Sequence, residues 1–215
     1  TNGIGYDTWA AKMVAANPRR DRLVLDVGKL VGVPDGGNPH QWYSPSSVSK
    51  VIDEITQTYK RRDPQDAAYF DAQRTRFTTV ALKAYRDAIA RIKARFTGTR
   101  IGASESIFAL MAPALGLDLS TPPAFLRAIS EGTDPTAANE ATIDRQISQH
   151  EIAVYVYNSQ NATPDIQRQI DACRREDIPV TQITETLVPP GSTFQRWQVD
   201  QLTALENALE SARQP

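Results

Sequence analysis

The stretch from Asp63 to Gly98 sets the scale of any fold open to this chain. Asp63-Pro64-Gln65-Asp66 reads as a helix start, with an N-cap acid, proline at the first helical position and an acid at the third. Beyond it Phe70, Phe77, Ala81, Ala84, Tyr85, Ala88, Ile92 and Phe96 recur mostly three, four or seven residues apart, and no second proline intervenes before Gly98. At about 1.5 Å per residue such a helix is roughly 50 Å long, more than one small lobe needs. It reads as a strut joining two lobes; a helix lying along a single domain is the alternative.

The segments on either side alternate between strand and helix. Upstream, Asp7 to Ala16 carries Trp9, Met13 and Val14 at helical spacing and stops at Asn17-Pro18. Leu23–Val27 reads as a short strand, Gly28 to Pro39 as loop, and Ser46 to Lys60 as a helix with Val48, Val51, Ile52, Ile55 and Tyr59 on one face. Downstream, Arg100–Ala103 reads as a strand and Ile107 to Leu115 as a helix. A loop with an amphipathic piece covers Thr121 to Thr133, and Asp134-Pro135-Thr136 opens a helix to about Gln149. Ile152–Tyr157 is apolar throughout, as a central parallel strand is. A helix ending at Arg175, a strand Ile178–Ile183, a Pro-Pro-Gly loop and a helix from Thr193 to Ala212 complete the chain. This order implies an α/β lobe with a parallel sheet.

Composition removes several function classes. With 24 basic and 25 acidic residues the net charge is −1, which gives no electrostatic case for nucleic acid or an anionic membrane. No apolar run approaches the ~18 residues of a membrane span. The single cysteine, Cys173, permits no internal disulfide and reads as a small buried thiol. The chain opens with Thr1 and a turn, Asn2-Gly3-Ile4-Gly5-Tyr6, of the kind that follows a strand. It is therefore expected to start inside a larger protein.

Chemistry-bearing residues gather at strand ends and in one loop. His40, one of only two histidines, lies in Gly36-Gly37-Asn38-Pro39-His40-Gln41-Trp42-Tyr43, which glycine and proline keep irregular. In open parallel sheets ligands bind beyond the carboxyl ends of strands. Those ends here carry Ser104-Glu105-Ser106, Asn158-Ser159-Gln160 and Thr184-Glu185-Thr186. A glutamate at a helix start has a plain structural use as a cap for free N–H groups. With one imidazole, two carboxylates also suit a divalent transition metal such as Zn²⁺ or Mn²⁺, or an acid–base pair for hydrolysis. No nucleophile–base motif, phosphate loop or dinucleotide fingerprint is present. His150, in Gln149-His150-Glu151, reads as a solvated helix C-terminus.

The order Asn-Gly-x-Gly-Tyr-x-x-Trp, Asn38-Pro39-His40-x-Trp42-Tyr43, Asp63-Pro64 before a long helix, Ser104-Glu105, Tyr157-Asn158-x-Gln160 and Thr184-Glu185-Thr186 resembles one family over essentially the whole chain. It is that of the metal-binding substrate-binding proteins of bacterial ABC importers for zinc and manganese. The resemblance implies an α/β protein of two lobes with parallel sheets joined by one long rigid helix, and a metal held in the cleft between them. Residues 1–62 would be the remainder of an N-terminal lobe, incomplete in this chain, 63–97 the linking helix, and 98–215 the C-terminal α/β lobe.

His40, Glu105 and Glu185 carry over as metal ligands. The family's usual first ligand, an upstream histidine, would be expected before Thr1, and no histidine-rich loop of the kind many zinc members carry precedes His40 here. Two carboxylates tolerate Mn²⁺, whereas the Thr-Glu-Thr variant resembles the zinc branch, so Zn²⁺ is the preferred cargo and Mn²⁺ the other. The function implied is capture of that ion outside the cytoplasmic membrane, in a periplasm or on a lipid anchor, and delivery to an ABC permease, with no catalysis. Two alternatives stand beside it: a hydrolase using Glu105 and Glu185, and an adhesion or docking protein on the same fold.

Overall fold

The structure, a computed structural model, describes residues 1–213 and divides into two units, Thr1–Ala81 and Leu82 onward. The first unit is helical, with α1 (Thr8–Ala16), α2 (Val27–Val31), α3 (Pro45–Arg62) and α4 (Ala67–Arg76). Helix α3 starts one residue before its expected place. Ser44 is its N-cap, the Ser44 hydroxyl accepting from Ser47 N–H at 3.2 Å, and Pro45 takes the first helical position. Helix α2 falls, but for its first residue, inside a segment expected as loop. Asp26 caps it by accepting from Lys29 N–H at 3.0 Å, and Gly32, at φ 77°, ends it in the left-handed conformation.

Leu23–Val27 is a correction. It is not a strand: Val27 begins α2, and the residues before it belong to no sheet among the described residues. A strand exists only as one side of a ladder, and outside α2 the backbone bonded to this stretch is that of Thr1 alone. Thr1 N donates to Leu25 O at 2.8 Å and Val27 N to Thr1 O at 3.1 Å.

The run expected as one helix is helical from Pro64 to Phe96 except at Leu82, but it is not uniformly α. A 3-10 turn (Pro64–Asp66) leads into α4, Phe77–Ala81 winds as a π-helix, and α5 (Lys83–Phe96) follows. The cause lies in three threonines. Thr75, Thr78 and Thr79 turn their hydroxyls back onto the carbonyls of Asp71, Arg74 and Thr75 at 2.9, 2.9 and 2.7 Å, competing with the ladder at the point where it widens.

The second unit holds a four-stranded, wholly parallel sheet of order β2-β1-β3-β4, from β1 (Arg100–Ala103), β2 (Asp118–Leu119), β3 (Val154–Asn158) and β4 (Val180–Ile183). Strand β2 was not anticipated; two residues give no periodicity to read. The helix expected over Ile107 to Leu115 is a 3-10 turn, Ser106–Leu110, followed by further turns. Helices α6 (Pro123–Ser130), α7 (Ala137–Ser148), α8 (Pro164–Arg175) and α9 (Phe194–Ser211) complete the unit. Threonines 136, 163 and 193 cap the last three through their side chains, so the N-cap of α7 is Thr136 and not the expected Asp134.

Period-two alternation along β3 divides the core. Tyr155 points into a cluster with Phe125, Ile143, Ile147, Ile166 and Ile170, while Val154 and Val156 project to the other face. Tyr155 is fully buried, and its hydroxyl donates to Gln169 Oε1, which satisfies a polar group that burial leaves without water. Cys173 lies in the same cluster, in α8, as a buried thiol. His150 sits exposed just past α7, as expected. No helix among the described residues is long and apolar enough to cross a membrane.

Candidate metal centre

In the first unit the His40 loop is tied to the opening turn. Asn2 Nδ2 donates to Pro39 O at 2.9 Å, and Asp7 accepts from Asn2 N–H and Gly3 N–H at 2.7 and 2.9 Å. Burial acts to raise the Asp7 pKa, but these N–H donors prevail and hold it below the usual value. Gly28 lies against the same turn; a Cβ there would meet Ile4 Cγ1 at 2.6 Å. The Asn-Gly-x-Gly-Tyr sequence is thus a brace for the histidine loop.

His40 itself is 4% exposed. Its Nδ1 lies 2.9 Å from Asn38 Oδ1, which also accepts from the His40 backbone N–H at 3.0 Å. A side-chain carbonyl only accepts, so Nδ1 carries the proton and Nε2 becomes the basic nitrogen of the ring. Trp42 packs edge-on at 5.4 Å between centroids and Tyr6 at 6.4 Å, which fixes the ring plane. An imidazole with one nitrogen oriented by an acceptor and the other basic is the form that ligates a metal.

In the second unit the carboxyl ends of three adjacent strands converge. Ser104 and Glu105 follow β1, Asn158 ends β3, and Thr184 and Glu185 follow β4. Glu105 is 3% exposed, and both its oxygens accept from amides: Oε1 from Asn158 Nδ2 at 2.7 Å and Oε2 from Asn161 Nδ2 at 2.6 Å. Asn158 Oδ1 in turn accepts from Gln160 N–H at 2.9 Å, which fixes which way that amide faces. Gln160 Oε1 then accepts from the backbone N–H groups of Glu185 and Thr186 at 2.7 and 2.9 Å. Trp197 Nε1 donates to Thr184 Oγ1 at 2.7 Å beneath this turn.

One hydrogen-bonded chain therefore runs Glu105–Asn158–Gln160–Glu185, and it brings both glutamates to the same end of the sheet. Among the described residues no basic side chain forms an ion pair with Glu105. Neutral amides alone hold the two oxygens of this buried carboxylate. Within neither unit, among the described residues, do three His, Cys, Asp or Glu side chains cluster as a ready cage. Asn38, Asn158 and Asn161 are the residues that sequence reasoning did not assign. The signal for them was present in the dense amide run Asn158-Ser159-Gln160-Asn161 and in an asparagine two before the histidine.

A parallel α/β unit whose strand ends present a buried, amide-held carboxylate, Glu105, with Glu185 at the same end, has a place at which a ligand can be held. The family model described as ZnuA, zinc-uptake complex component A, periplasmic, matches residues 1–208, and the chain belongs to this family of metal-binding substrate-binding proteins. No curated protein sequence matches it significantly.

Among solved structures the fold is similar to the substrate-binding protein FpvC of Pseudomonas aeruginosa in complex with Ni²⁺, at TM-score 0.74 and 16% identity, covering 100% of this chain and 78% of that one. FpvC in complex with Mn²⁺ gives 0.72 and 16%, covering 99% and 79%. The Cd-bound periplasmic metal binding protein of Candidatus Liberibacter asiaticus gives 0.74 and 16%, covering 97% and 78%. At these identities the likeness is one of fold.

Proposed function

We propose that this chain captures a divalent transition metal, Zn²⁺ in preference to Mn²⁺, outside the cytoplasmic membrane and delivers it to an ABC permease. His40 through Nε2, Glu105 and Glu185 would be its protein ligands. The observation that carries this reading is Glu105, a 3% exposed carboxylate with both oxygens held by amides and no cationic partner among the described residues. The amides orient the two oxygens without neutralising them, which leaves the charge to be balanced by an arriving ion. Family membership and the metal complexes of similarly folded proteins support the same conclusion. They favour it over the carboxylate-pair hydrolase. The protein would work in a periplasm or on a lipid anchor at the outer face of the membrane.

Calorimetric titration of chelator-stripped chain with Zn²⁺ and, separately, Mn²⁺ tests this. One-to-one binding is expected, weakened more than about tenfold by Glu105→Gln, since losing a ligand costs more than losing an outer hydrogen bond. Equal affinity in parent and variant would overturn the ligand assignment, and absence of binding by either ion would overturn the capture function.

A further inference from the structure

Strand β4 pairs only with β3, and the ladder between them closes where Ser159 N–H donates to Ile183 O at 3.0 Å. The chain that leaves β4 must find its hydrogen bonds elsewhere. The next three backbone N–H groups find them on side-chain carbonyls. Gln201 Oε1, from α9, accepts from Thr184 N–H at 2.7 Å. Gln160 Oε1 accepts from both Glu185 N–H and Thr186 N–H, at 2.7 and 2.9 Å. The other end of the same amide is used as well, Gln160 Nε2 donating to Thr186 Oγ1 at 2.7 Å.

The flanking threonines close the turn. Thr184 Oγ1 donates to Thr186 O at 2.9 Å while accepting from Trp197 Nε1 at 2.7 Å. Glu185 is therefore the middle residue of a turn pinned at Thr184 by α9 and at Glu185 and Thr186 by Gln160. Gln160 is itself placed by the group that holds the other glutamate. Asn158 Oδ1 accepts from Gln160 N–H at 2.9 Å, and Asn158 Nδ2 donates to Glu105 Oε1 at 2.7 Å. Such a grip needs an amide. A carboxylate at 160 would have no N–H for Thr186 Oγ1 and would add a charge at the turn, and an apolar side chain would leave both backbone N–H groups to water.

We infer that Gln160 is the positioning residue for Glu185: it orders the Glu185 turn before an ion arrives and, through Asn158, sets that turn in register with Glu105. The inference rests on the capture reading, in which both glutamates are ligands. Order present before binding raises affinity, because the ion does not have to impose it.

Gln160→Met tests this, since methionine keeps the length of the side chain and removes both its donor and its acceptor. Gln160 is exposed, so the urea unfolding midpoint should match that of the parent. In hydrogen exchange of the metal-free chain, the Glu185 and Thr186 amides should exchange about tenfold faster or more than in the parent, while the Thr184 amide, held by Gln201, keeps its rate. Calorimetric titration with Zn²⁺ should show affinity reduced about tenfold. In a Glu185→Gln background the same substitution should change affinity less than about twofold, because no ligand remains for Gln160 to position. Unchanged affinity in Gln160→Met, a full loss repeated in the Glu185→Gln background, or unaltered exchange at 185 and 186 would overturn the inference while leaving the capture reading intact. If Glu185→Gln alone leaves Zn²⁺ affinity unchanged, the ligand assignment itself fails and the inference falls with it.

Discussion

Side-chain amides do the same work at two of the three proposed ligating positions, His40 and Glu105. Asn38 fixes the His40 tautomer, and Asn158 and Asn161 each hold one oxygen of Glu105. None of them adds charge, so they orient a ligand without competing with the ion for it. Asn158→Ala is therefore expected to weaken metal binding by about 10- to 100-fold, as loss of an outer hydrogen bond typically does. Titration of a variant with unchanged circular dichroism checks this, and unaltered affinity would remove the positioning role. Cys173 behaves oppositely. Burial pushes its thiol up to about 12, so the folded chain holds the proton that an unfolded chain releases near 9.0. Its contribution to stability is fully present below 9.0 and is lost as pH rises toward about 12. A disulfide exchange reagent at pH 8 should label it far more slowly in native than in urea-unfolded protein; equal rates would contradict the burial. The places of His40, in a proline-held loop, and of Glu105 and Glu185, just past two strands, were legible in the sequence from breakers and apolar runs. The asparagines were not, because an amide reveals its role only through what it touches.

At the scale of elements, helices were legible where a cap announced them. Thr163 and Thr193 stand where the side chain reaches back to the N–H three residues on, and α8 and α9 begin there. Thr193→Ala is expected to cost about 1 kcal/mol. Strand β1 gives a sharper case. A Cβ at Gly102 would meet Ile152 Cδ1 at 2.8 Å and Tyr155 Cδ2 at 3.0 Å, so β1 and β3 approach as they do because position 102 has no side chain. Gly102→Val should destabilise the chain by roughly 1–3 kcal/mol in urea unfolding, despite the higher strand propensity of valine. A neutral or stabilising result would mean that the surroundings relax. The π-helix at Phe77–Ala81 escaped periodicity because one extra residue per turn shifts the apolar pattern only slightly, although Thr75, Thr78 and Thr79 stand together in the sequence. Leu23–Val27 had the composition of a strand, and composition does not supply a neighbour.

For the whole molecule, the capture reading makes stability a function of the ion. Metal that binds only the folded chain should stabilise it by about 2.7 kcal/mol at a hundredfold excess over Kd, and the melting temperature should climb with the logarithm of metal concentration. Glu105→Gln should flatten that dependence; a melting curve indifferent to Zn²⁺ and Mn²⁺ would count against capture altogether. The amino-acid sequence by itself determined the α/β alternation, the apolar central strand, the loop bearing His40 and the glutamates after β1 and β4. Each of these is written in periodicity, caps and breakers within a few residues of one another. Only the tertiary structure decided the strand order β2-β1-β3-β4 and the amide chain linking Glu105 to Glu185. Those depend on which distant backbones meet, and a hydrogen bond between residues 53 positions apart, as between Asn158 and Glu105, leaves no local trace in the chain that makes it.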